Sequence, residues 1–291
     1  MLRTSYHTHN RFCDGKGEIA EYVEAAVAAG LEALGITSHC PLPFPDPSAM
    51  RQDALPAYCA EIARLQDAHR DRLRIHLGLE FDYLPEYVER MWREFSAYRF
   101  DYMIGSVHFL GPGPTGVPAA YDLSRREFER VLRDVFGGQV RRLVGEYYAR
   151  VRGMVAWGRA DIVGHLDRIK IWNRGARYFR EDEPWYRREV EATVQACARA
   201  GVVVEVNTNG WRQAARQPYP SPWIVRRCLD LGIPLVVTSD AHAPSRVTDF
   251  YSRAEALLRE VECGELAART DDGWRMEPLD GTVPPRPASN Q

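Results

Sequence analysis

The chain has 291 residues, of which 45% are hydrophobic and 27% charged, and its formal net charge is −2. This composition is typical of a globular protein with a sizeable core and excludes a disordered chain. The small net charge argues against a general nucleic-acid or membrane-surface binder, because both normally carry a basic excess.

The six cysteines are scattered along the chain and form no C-x-x-C pair. That spacing favours reduced thiols over a zinc knuckle or a disulfide scaffold. The sequence begins without a basic segment followed by an apolar one, and no apolar run approaches ~18 residues. We therefore expect a cytoplasmic protein that has no membrane partner.

The first distinctive stretch is residues 4–9, a short strand pattern that ends in His7 and His9. In an extended strand, residues i and i+2 lie on one face, so both imidazoles would point the same way. Neutral imidazole is the commonest metal ligand, and such a pair resembles half of a metal site. A lone His-x-His is more often two ordinary surface histidines, so the later strands decide the interpretation.

Helical and strand patterns then alternate along the chain, with a helical pattern after every strand. The further predicted strands are residues 34–37, 73–81, 102–108, 160–164, 202–206 and 234–238. With the first, these are seven strands in a parallel sheet, because a crossover helix returns the chain to the same edge. An open doubly wound sheet and a closed barrel both fit this alternation.

Candidate ligands occur at the exits of six of the seven strands, and this position favours the barrel. A closed barrel brings all carboxyl ends of its strands to one rim, where such enzymes hold their active sites. We predict a single α/β barrel domain over residues 1–265. Residues 266–291 read as a frayed, Pro-rich C-terminal tail.

Six of the eight histidines fall at predicted strand exits: His7, His9, His39, His108, His165 and His242. His69, on a helix, and His76, at a strand start, are interpreted as structural or surface residues. Chance placement would scatter histidines over helices and loops as well. The concentration at strand exits therefore favours a metal site.

Three acidic residues join the predicted rim. Asp14 also suits the turn formed by Cys13 and Gly15, so its sequence context alone does not require a ligand role. Glu80 closes an apolar run, and a buried carboxylate is costly unless it is paired or bound to metal. Asp240 stands two residues before His242 and repeats the one-face spacing of the first strand.

These nine side chains exceed the three or four protein ligands of one catalytic zinc ion. They suffice for two or three divalent transition-metal ions that share a bridging carboxylate. Nitrogen and oxygen ligands without cysteine suit zinc, iron or manganese. Clusters of this kind typically catalyse hydrolysis at phosphorus.

The combined motifs resemble the PHP (polymerase and histidinol phosphatase) superfamily over about residues 4 to 260. They are His7-Thr8-His9, Gly35-Ile36-Thr37-Ser38-His39, the Glu80 strand, Gly105-Ser106-Val107-His108, Gly164-His165 and Ser239-Asp240-Ala241-His242. The histidinol-phosphatase branch is indicated by Val206-Asn207-Thr208-Asn209-Gly210-Trp211-Arg212 and Tyr219-Pro220-Ser221-Pro222.

The resemblance implies a distorted (β/α)7 barrel with a trinuclear metal site at the C-terminal rim of its strands. By matched position, His7, His9, Glu80 and Asp240 would hold the first ion. Glu80 would bridge to a second ion held by His108 and His165. Asp14, His39 and His242 would hold the third ion.

A phosphate monoester needs cations in addition to metal, and five basic residues follow the fifth and sixth strands. They are Arg168, Lys170, Arg174, Arg177 and Arg212. Two or three of these would only face solvent. We expect Arg212 to contact phosphate and to act with Glu80 and Asp240 in catalysis, with Lys170 and then Arg168 as further contacts.

Two other polar residues are assigned to the substrate. Asn207 follows the sixth strand and could donate to the substrate from the rim. Asp122, beside Tyr121, is expected to recognise an amino or imidazole group.

The resemblance implies hydrolysis of L-histidinol phosphate to L-histidinol and phosphate, the dephosphorylation step of histidine biosynthesis. An alternative is a related phosphoesterase acting on another small phosphate monoester or a nucleotide. A non-enzymatic metal-binding protein is the third hypothesis, but its ligands would have no reason to occupy a catalytic rim. The expected partner is a small phosphorylated substrate. The sequence leaves open whether the protein forms a homo-oligomer.

Overall fold

The computed structural model describes residues 2–113 and 116–279. The strands of its main sheet are β1 Thr4–Ser5, β2 Ala33–Ile36, β3 Arg74–Asp82, β4 Tyr102–Ser106, β7 Ile162–Val163, β8 Val203–Asn207 and β9 Leu235–Thr238. Two hairpins lie outside this sheet, formed by β5 Phe109–Leu110 with β6 Ala119–Ala120 and by β10 Glu265–Thr270 with β11 Gly273–Pro278.

The helices follow the strands, as the alternating pattern predicts. They are α1 Ile19–Ala28, α2 Leu55–His69, α3 Val88–Phe95, α4 Arg125–Asp134, α5 Val140–Trp157, α6 Pro184–Ala200, α7 Pro222–Asp230 and α8 Tyr251–Glu260. Within residues 2–113 and 116–279, no helix is long and apolar enough to cross a membrane.

The seven strands of the main sheet are parallel and lie in chain order, from β1 through β4 to β7, β8 and β9. The two edges meet in a parallel bridge between Thr8 and Ala241, where the backbone N–H of His9 donates to the Ala241 carbonyl at 2.8 Å. The sheet is therefore a nearly closed barrel, which confirms the predicted (β/α)7 fold. All carboxyl ends of the strands face one rim.

Side chains fill the barrel interior at the end opposite this rim. Tyr102 lies across the interior, and its hydroxyl donates to the Tyr6 carbonyl at 2.5 Å. A Cβ atom on Gly35 would lie 1.7 Å from that hydroxyl, so only glycine can occupy this position of β2. The interior is thus a packed core, and space for chemistry is confined to the rim.

The β10–β11 hairpin closes the far end of the barrel, which corrects our expectation of a frayed tail from residue 266. Trp274 packs edge-on against Tyr6 and Tyr102, with ring centroids 5.3 and 5.7 Å apart. The backbone N–H of Arg269 donates to the Tyr6 hydroxyl at 2.9 Å. The hairpin therefore covers aromatic surface at the end of the barrel opposite the rim. Residues 280–291 lie outside the described part.

Candidate metal centre

Glu80 lies at the centre of the rim, where β3 delivers its carboxylate among imidazoles from the first two strands. Its Oε2 lies 2.8 Å from Nδ1 of His39 and 3.4 Å from Nε2 of both His7 and His9. Glu80 and the two N-terminal histidines are almost wholly buried, while His39 is slightly exposed. The structure therefore brings three predicted imidazole ligands to one carboxylate oxygen.

The other oxygen of Glu80 faces the histidines that follow β4 and β7. Nε2 of His165 is 3.0 Å from this Oε1 and 3.2 Å from Nε2 of His108. Ser106 donates its hydroxyl to the same Oε1 at 2.6 Å, and the Asp82 carboxylate lies 2.6 Å from Nδ1 of His108. Glu80 thus stands between two histidine groups, as a bridging carboxylate would.

A third set of side chains lies toward the solvent side of the rim. Nε2 of His9 is 3.1 Å from Oδ1 of Asp240, and its ring stacks on His242 with centroids 4.1 Å apart. Nε2 of His242 is 3.5 Å from Oδ1 of Asp14, which also lies 3.9 Å from Nε2 of His39. The Asp14 side chain is 35% exposed, so it forms the outer wall of this set.

Among the described residues, three overlapping groups have ligand atoms close enough together to hold a metal ion. They are His9, Asp14, His39 and His242; His7, His9 and Asp240; and His39, Glu80 and His108. Two ions expected from the resemblance correspond to the first two groups. The third group differs from the expected second ion because His39, rather than His165, completes it.

Several buried atoms at the rim have no hydrogen-bond partner among the described residues. They are Nε2 of His7, Nε2 of His9, Nδ1 of His39, Oε2 of Glu80 and Nδ1 of His165. Buried polar atoms are nearly always satisfied, because leaving one unpaired costs on the order of 1–3 kcal/mol. A concentration of such atoms on metal-ligating side chains fits a site that cations complete.

Charge at the rim also suits a cation. Burial and the neighbouring His242 and His39 lower the pKa of His9 to about 3, so its imidazole is in the neutral, metal-binding form. Burial alone would raise the pKa of Asp240, but His7 and the other nearby histidines hold it well below its usual range. Asp240 is therefore ionised.

Two rim residues have a left-handed backbone, which is uncommon outside glycine. His165 has φ of 24° and Asp240 has φ of 47°. Such conformations cost on the order of 1–3 kcal/mol and persist only where the surroundings enforce them. Each is the second residue after a barrel strand, where the turn aims the side chain into the rim.

Glu205 is a site residue that the sequence analysis missed. It is fully buried in β8, and its oxygens accept from Nδ1 of His7 at 2.6 Å and from the backbone N–H of His165 at 2.7 Å. An acid within the apolar run Val202 to Val206 was the available signal, since the same reasoning identified Glu80. Asp82, two residues after Glu80 on the same face, was detectable in the same way.

Asn207 differs from its predicted role as a substrate donor. Its amide Nδ2 donates to Oε2 of Glu205 and to Oδ2 of Asp240, both at 3.1 Å. Its side-chain oxygen accepts from the backbone N–H of Asn209 at 3.0 Å. The amide is therefore occupied in orienting the carboxylate of Asp240.

Arg168 is the predicted cation that the structure places nearest the ligand cluster. Its guanidinium donates to Asp122 at 2.6 Å and lies 4.0 Å from Oδ2 of Asp240. The pairing with Arg168 also differs from the amino or imidazole contact expected for Asp122. Both side chains are largely buried, so the guanidinium is held in place at the rim.

The other predicted cations are in different surroundings. Lys170 is buried and paired at 2.8 Å with Asp167, which belongs to none of the three candidate ligand groups. Arg212 pairs with Asp249 on the surface and is 41% exposed. Arg174 and Arg177 are exposed. Among these cations of the described residues, Arg168 is the one with an ion-pair distance to a candidate metal ligand, Asp240.

A family model described as a PHP domain matches residues 5–209, which include most of the rim side chains described above. The chain belongs to the PHP family. Among relatives of this PHP chain, a Deinococcus radiodurans protein named "Probable histidinol-phosphatase" is 34% identical over 260 residues, covering 88% of this chain and 92% of the relative. A Bacillus subtilis histidinol-phosphatase is 28% identical over 276 residues, covering 89% and 99%.

Solved structures agree with the PHP barrel described above. A Lactococcus lactis histidinol phosphate phosphatase, solved as a complex with zinc, L-histidinol and phosphate, superposes with a TM-score of 0.71 at 22% identity. The match covers 94% of this chain and 100% of that one. A Listeria monocytogenes structure gives a TM-score of 0.72 at 21% identity, covering 86% and 99%. These likenesses establish the fold.

Proposed function

We propose that this PHP-family chain is a histidinol-phosphatase that hydrolyses L-histidinol phosphate to L-histidinol and inorganic phosphate. The observation that carries the proposal is the relationship to the Deinococcus protein of that name, which spans nearly the whole of both chains. The concentration of metal-ligating side chains at the barrel rim supports it, because this is the chemistry that phosphate ester hydrolysis requires.

The rim residues fit two or three divalent transition-metal ions. His7, His9 and Asp240 would hold one ion, with Glu80 as the carboxylate shared with the group of His39 and His108. The outer group adds Asp14 and His242, and His165 would join through its position beside Glu80. Bound ions would activate water for attack on phosphorus and offset charge on the phosphoryl oxygens.

Arg168 has the position to bind the phosphoryl group next to these ligands. Asp122 fixes its guanidinium, so little reorganisation is needed when an anion arrives. Arg212 can add a second contact, since its pair with Asp249 is exposed and such pairs contribute only about 0–1 kcal/mol. The phosphoryl group of a small substrate would therefore replace Asp249 as the partner of Arg212 at a modest cost in free energy.

The deciding experiment measures phosphate release from L-histidinol phosphate and from a panel of other phosphate monoesters and nucleotides. We expect kcat/KM for L-histidinol phosphate to exceed that for every other compound in the panel. A higher kcat/KM for another monoester would assign the chain to a different PHP phosphoesterase activity. If the metal-reconstituted protein hydrolyses no compound of the panel, the result would contradict an enzymatic function.

A further inference from the structure

The hydroxyl of Tyr219 is buried and has no hydrogen-bond partner among the described residues. Tyr219 is fully buried, and no other tyrosine hydroxyl in residues 2–113 and 116–279 is closed to solvent without a partner. Tyr121 and Tyr251, by comparison, donate to the carbonyls of Val107 and Thr4 at 2.9 and 2.8 Å. Because an unpaired buried hydroxyl is costly, that of Tyr219 needs an explanation.

The backbone attaches Tyr219 directly to the rim. Its N–H and carbonyl both bond to the backbone of Asn207, at 3.1 and 2.6 Å. The side chain of Asn207 in turn donates to Asp240. Tyr219 is thus held beside a candidate metal ligand through one intervening residue.

The ring of Tyr219 is also clamped. A Cβ atom on Gly210 would lie 3.0 Å from two of its ring carbons, so the absence of a side chain there leaves room for the ring. The ammonium of Lys170 lies 5.5 Å from the ring centroid. The phenol therefore has little freedom to reach a partner elsewhere.

The charges that act on this phenol are those of the proposed phosphate site. Burial raises its pKa strongly, while Arg168 opposes that shift and Asp167, Asp122 and Asp240 add to it. The phenol is therefore a neutral hydrogen-bond donor. Like Nε2 of His7 and of His9, the hydroxyl is buried and unpaired among the described residues.

We propose that the hydroxyl of Tyr219 donates a hydrogen bond to the phosphoryl group of the bound substrate, next to Arg168. The proposal rests on the proposed phosphatase function and adds to it a residue that contacts substrate. No charge or proton transfer is required of the phenol. Its role is to supply one preset donor in a region from which water is excluded.

Tyr219→Phe removes only the hydroxyl and keeps the ring. Since a hydrogen bond to a charged group is lost, we expect kcat/KM for L-histidinol phosphate to fall roughly 10- to 100-fold. Inorganic phosphate should also bind more weakly, so its inhibition constant should rise. Metal content should equal that of the parent, and the free energy of unfolding should be equal or higher, because no protein hydrogen bond is broken.

Tyr251→Phe is the matched control, since it deletes a hydroxyl that bonds the Thr4 carbonyl away from the rim. It should lower the free energy of unfolding and leave kcat/KM unchanged. Parent-like kcat/KM and phosphate inhibition in Tyr219→Phe would overturn the proposal. So would a loss of metal or of stability in Tyr219→Phe, because the hydroxyl would then act through the protein. If the parent hydrolyses nothing, the phosphatase function itself fails, while weaker phosphate binding in Tyr219→Phe remains measurable.

Discussion

The carboxylate of Glu205 accepts a hydrogen bond from Nδ1 of His7 at 2.6 Å, with both side chains fully buried. Because a carboxylate only accepts, this bond keeps a proton on Nδ1 and leaves Nε2 of His7, 3.4 Å from Oε2 of Glu80, as the nitrogen available to a metal ion. Thr238 donates to the same Oε1 of Glu205 at 2.5 Å, and the His165 backbone donates to the other oxygen at 2.7 Å. Glu205 thus positions two candidate ligands, His7 and His165, from two strands, as carboxylates behind metal-bound histidines commonly do.

We expect Glu205→Gln to weaken metal binding roughly 10- to 100-fold, the usual effect of removing such an outer carboxylate. A glutamine side chain accepts hydrogen bonds only through its oxygen, because its NH2 group is itself a donor. It can therefore satisfy only some of the three donors that bond to Glu205. Metal titration of the chelator-treated protein measures the change. Glu191→Gln, at a surface carboxylate paired with Arg227, should bind metal like the parent. Unchanged affinity in Glu205→Gln would remove this residue from the site.

Metal analysis should find more than one transition-metal equivalent per chain, because three ligand groups cannot all serve one ion. Chelation should abolish phosphate release, and re-addition of zinc, iron or manganese should restore it. Elemental analysis before and after reconstitution provides the measurement. One equivalent or less after reconstitution would contradict a cluster.

Glu80→Gln should reduce kcat/KM more than Asp14→Asn. Glu80 is buried and faces histidines on both of its oxygens, whereas Asp14 is one partly exposed member of the outer group. Loss of the shared carboxylate therefore disturbs two groups and loss of Asp14 only one. Steady-state kinetics and metal content of both variants test the order; equal activity in Glu80→Gln and the parent would exclude a bridging role.

Arg168→Ala should lower kcat/KM roughly 30- to 1,000-fold, since removal of a preset charged donor to a phosphoryl group costs about 2–4 kcal/mol. Arg212→Ala should lower it less, because Arg212 must first leave Asp249. Metal content should stay at the parent level in both. Arg216→Ala, at an exposed residue after β8, serves as the control. A severe loss in Arg216→Ala but not in the other two would show that the phosphate site is wrongly placed.

His76 should make the protein less stable in acid. Burial, with help from Arg269 and Arg74, lowers its folded pKa to about 4 from 6.5. The unfolded chain therefore binds a proton more readily, so this stability is complete above pH 6.5 and is lost as the pH falls toward 4. The loss amounts to about 3 kcal/mol. Denaturant unfolding at several pH values should show a steeper acid decline for the parent than for His76→Phe; parallel curves would refute this.

The alternating pattern of the sequence predicted a parallel sheet, because a crossover helix returns the chain to the same edge, and candidate ligands at the strand exits then favoured a closed barrel. Strand exits then identified the ligand candidates, since parallel strands place all their carboxyl ends at one rim. The structure brings all nine together, from His7 to His242. Their assignment as metal ligands stays a prediction.

The carboxylates that hydrogen-bond to the rim histidines could have been identified from the sequence by the argument that was applied to Glu80. Glu205 lies within the buried strand β8 and Asp82 is the last residue of β3, and a buried charge in either place needs a partner. What the sequence could not supply was the partner itself. His7 and Glu205 are separated by 198 positions and meet only because β1 and β8 belong to one barrel.

Local sequence therefore determined which residue types stand at the strand ends, because side-chain direction and strand period are local properties. Only the tertiary structure decided which charges are already paired. Arg168 and Arg212 are equivalent cations in the sequence, but Asp122 and Asp249 reach them from 46 and 37 positions away, whereas Lys170 pairs locally with Asp167. Charge pairing depends on distances of a few ångströms between such segments, and those distances exist only once the barrel has closed.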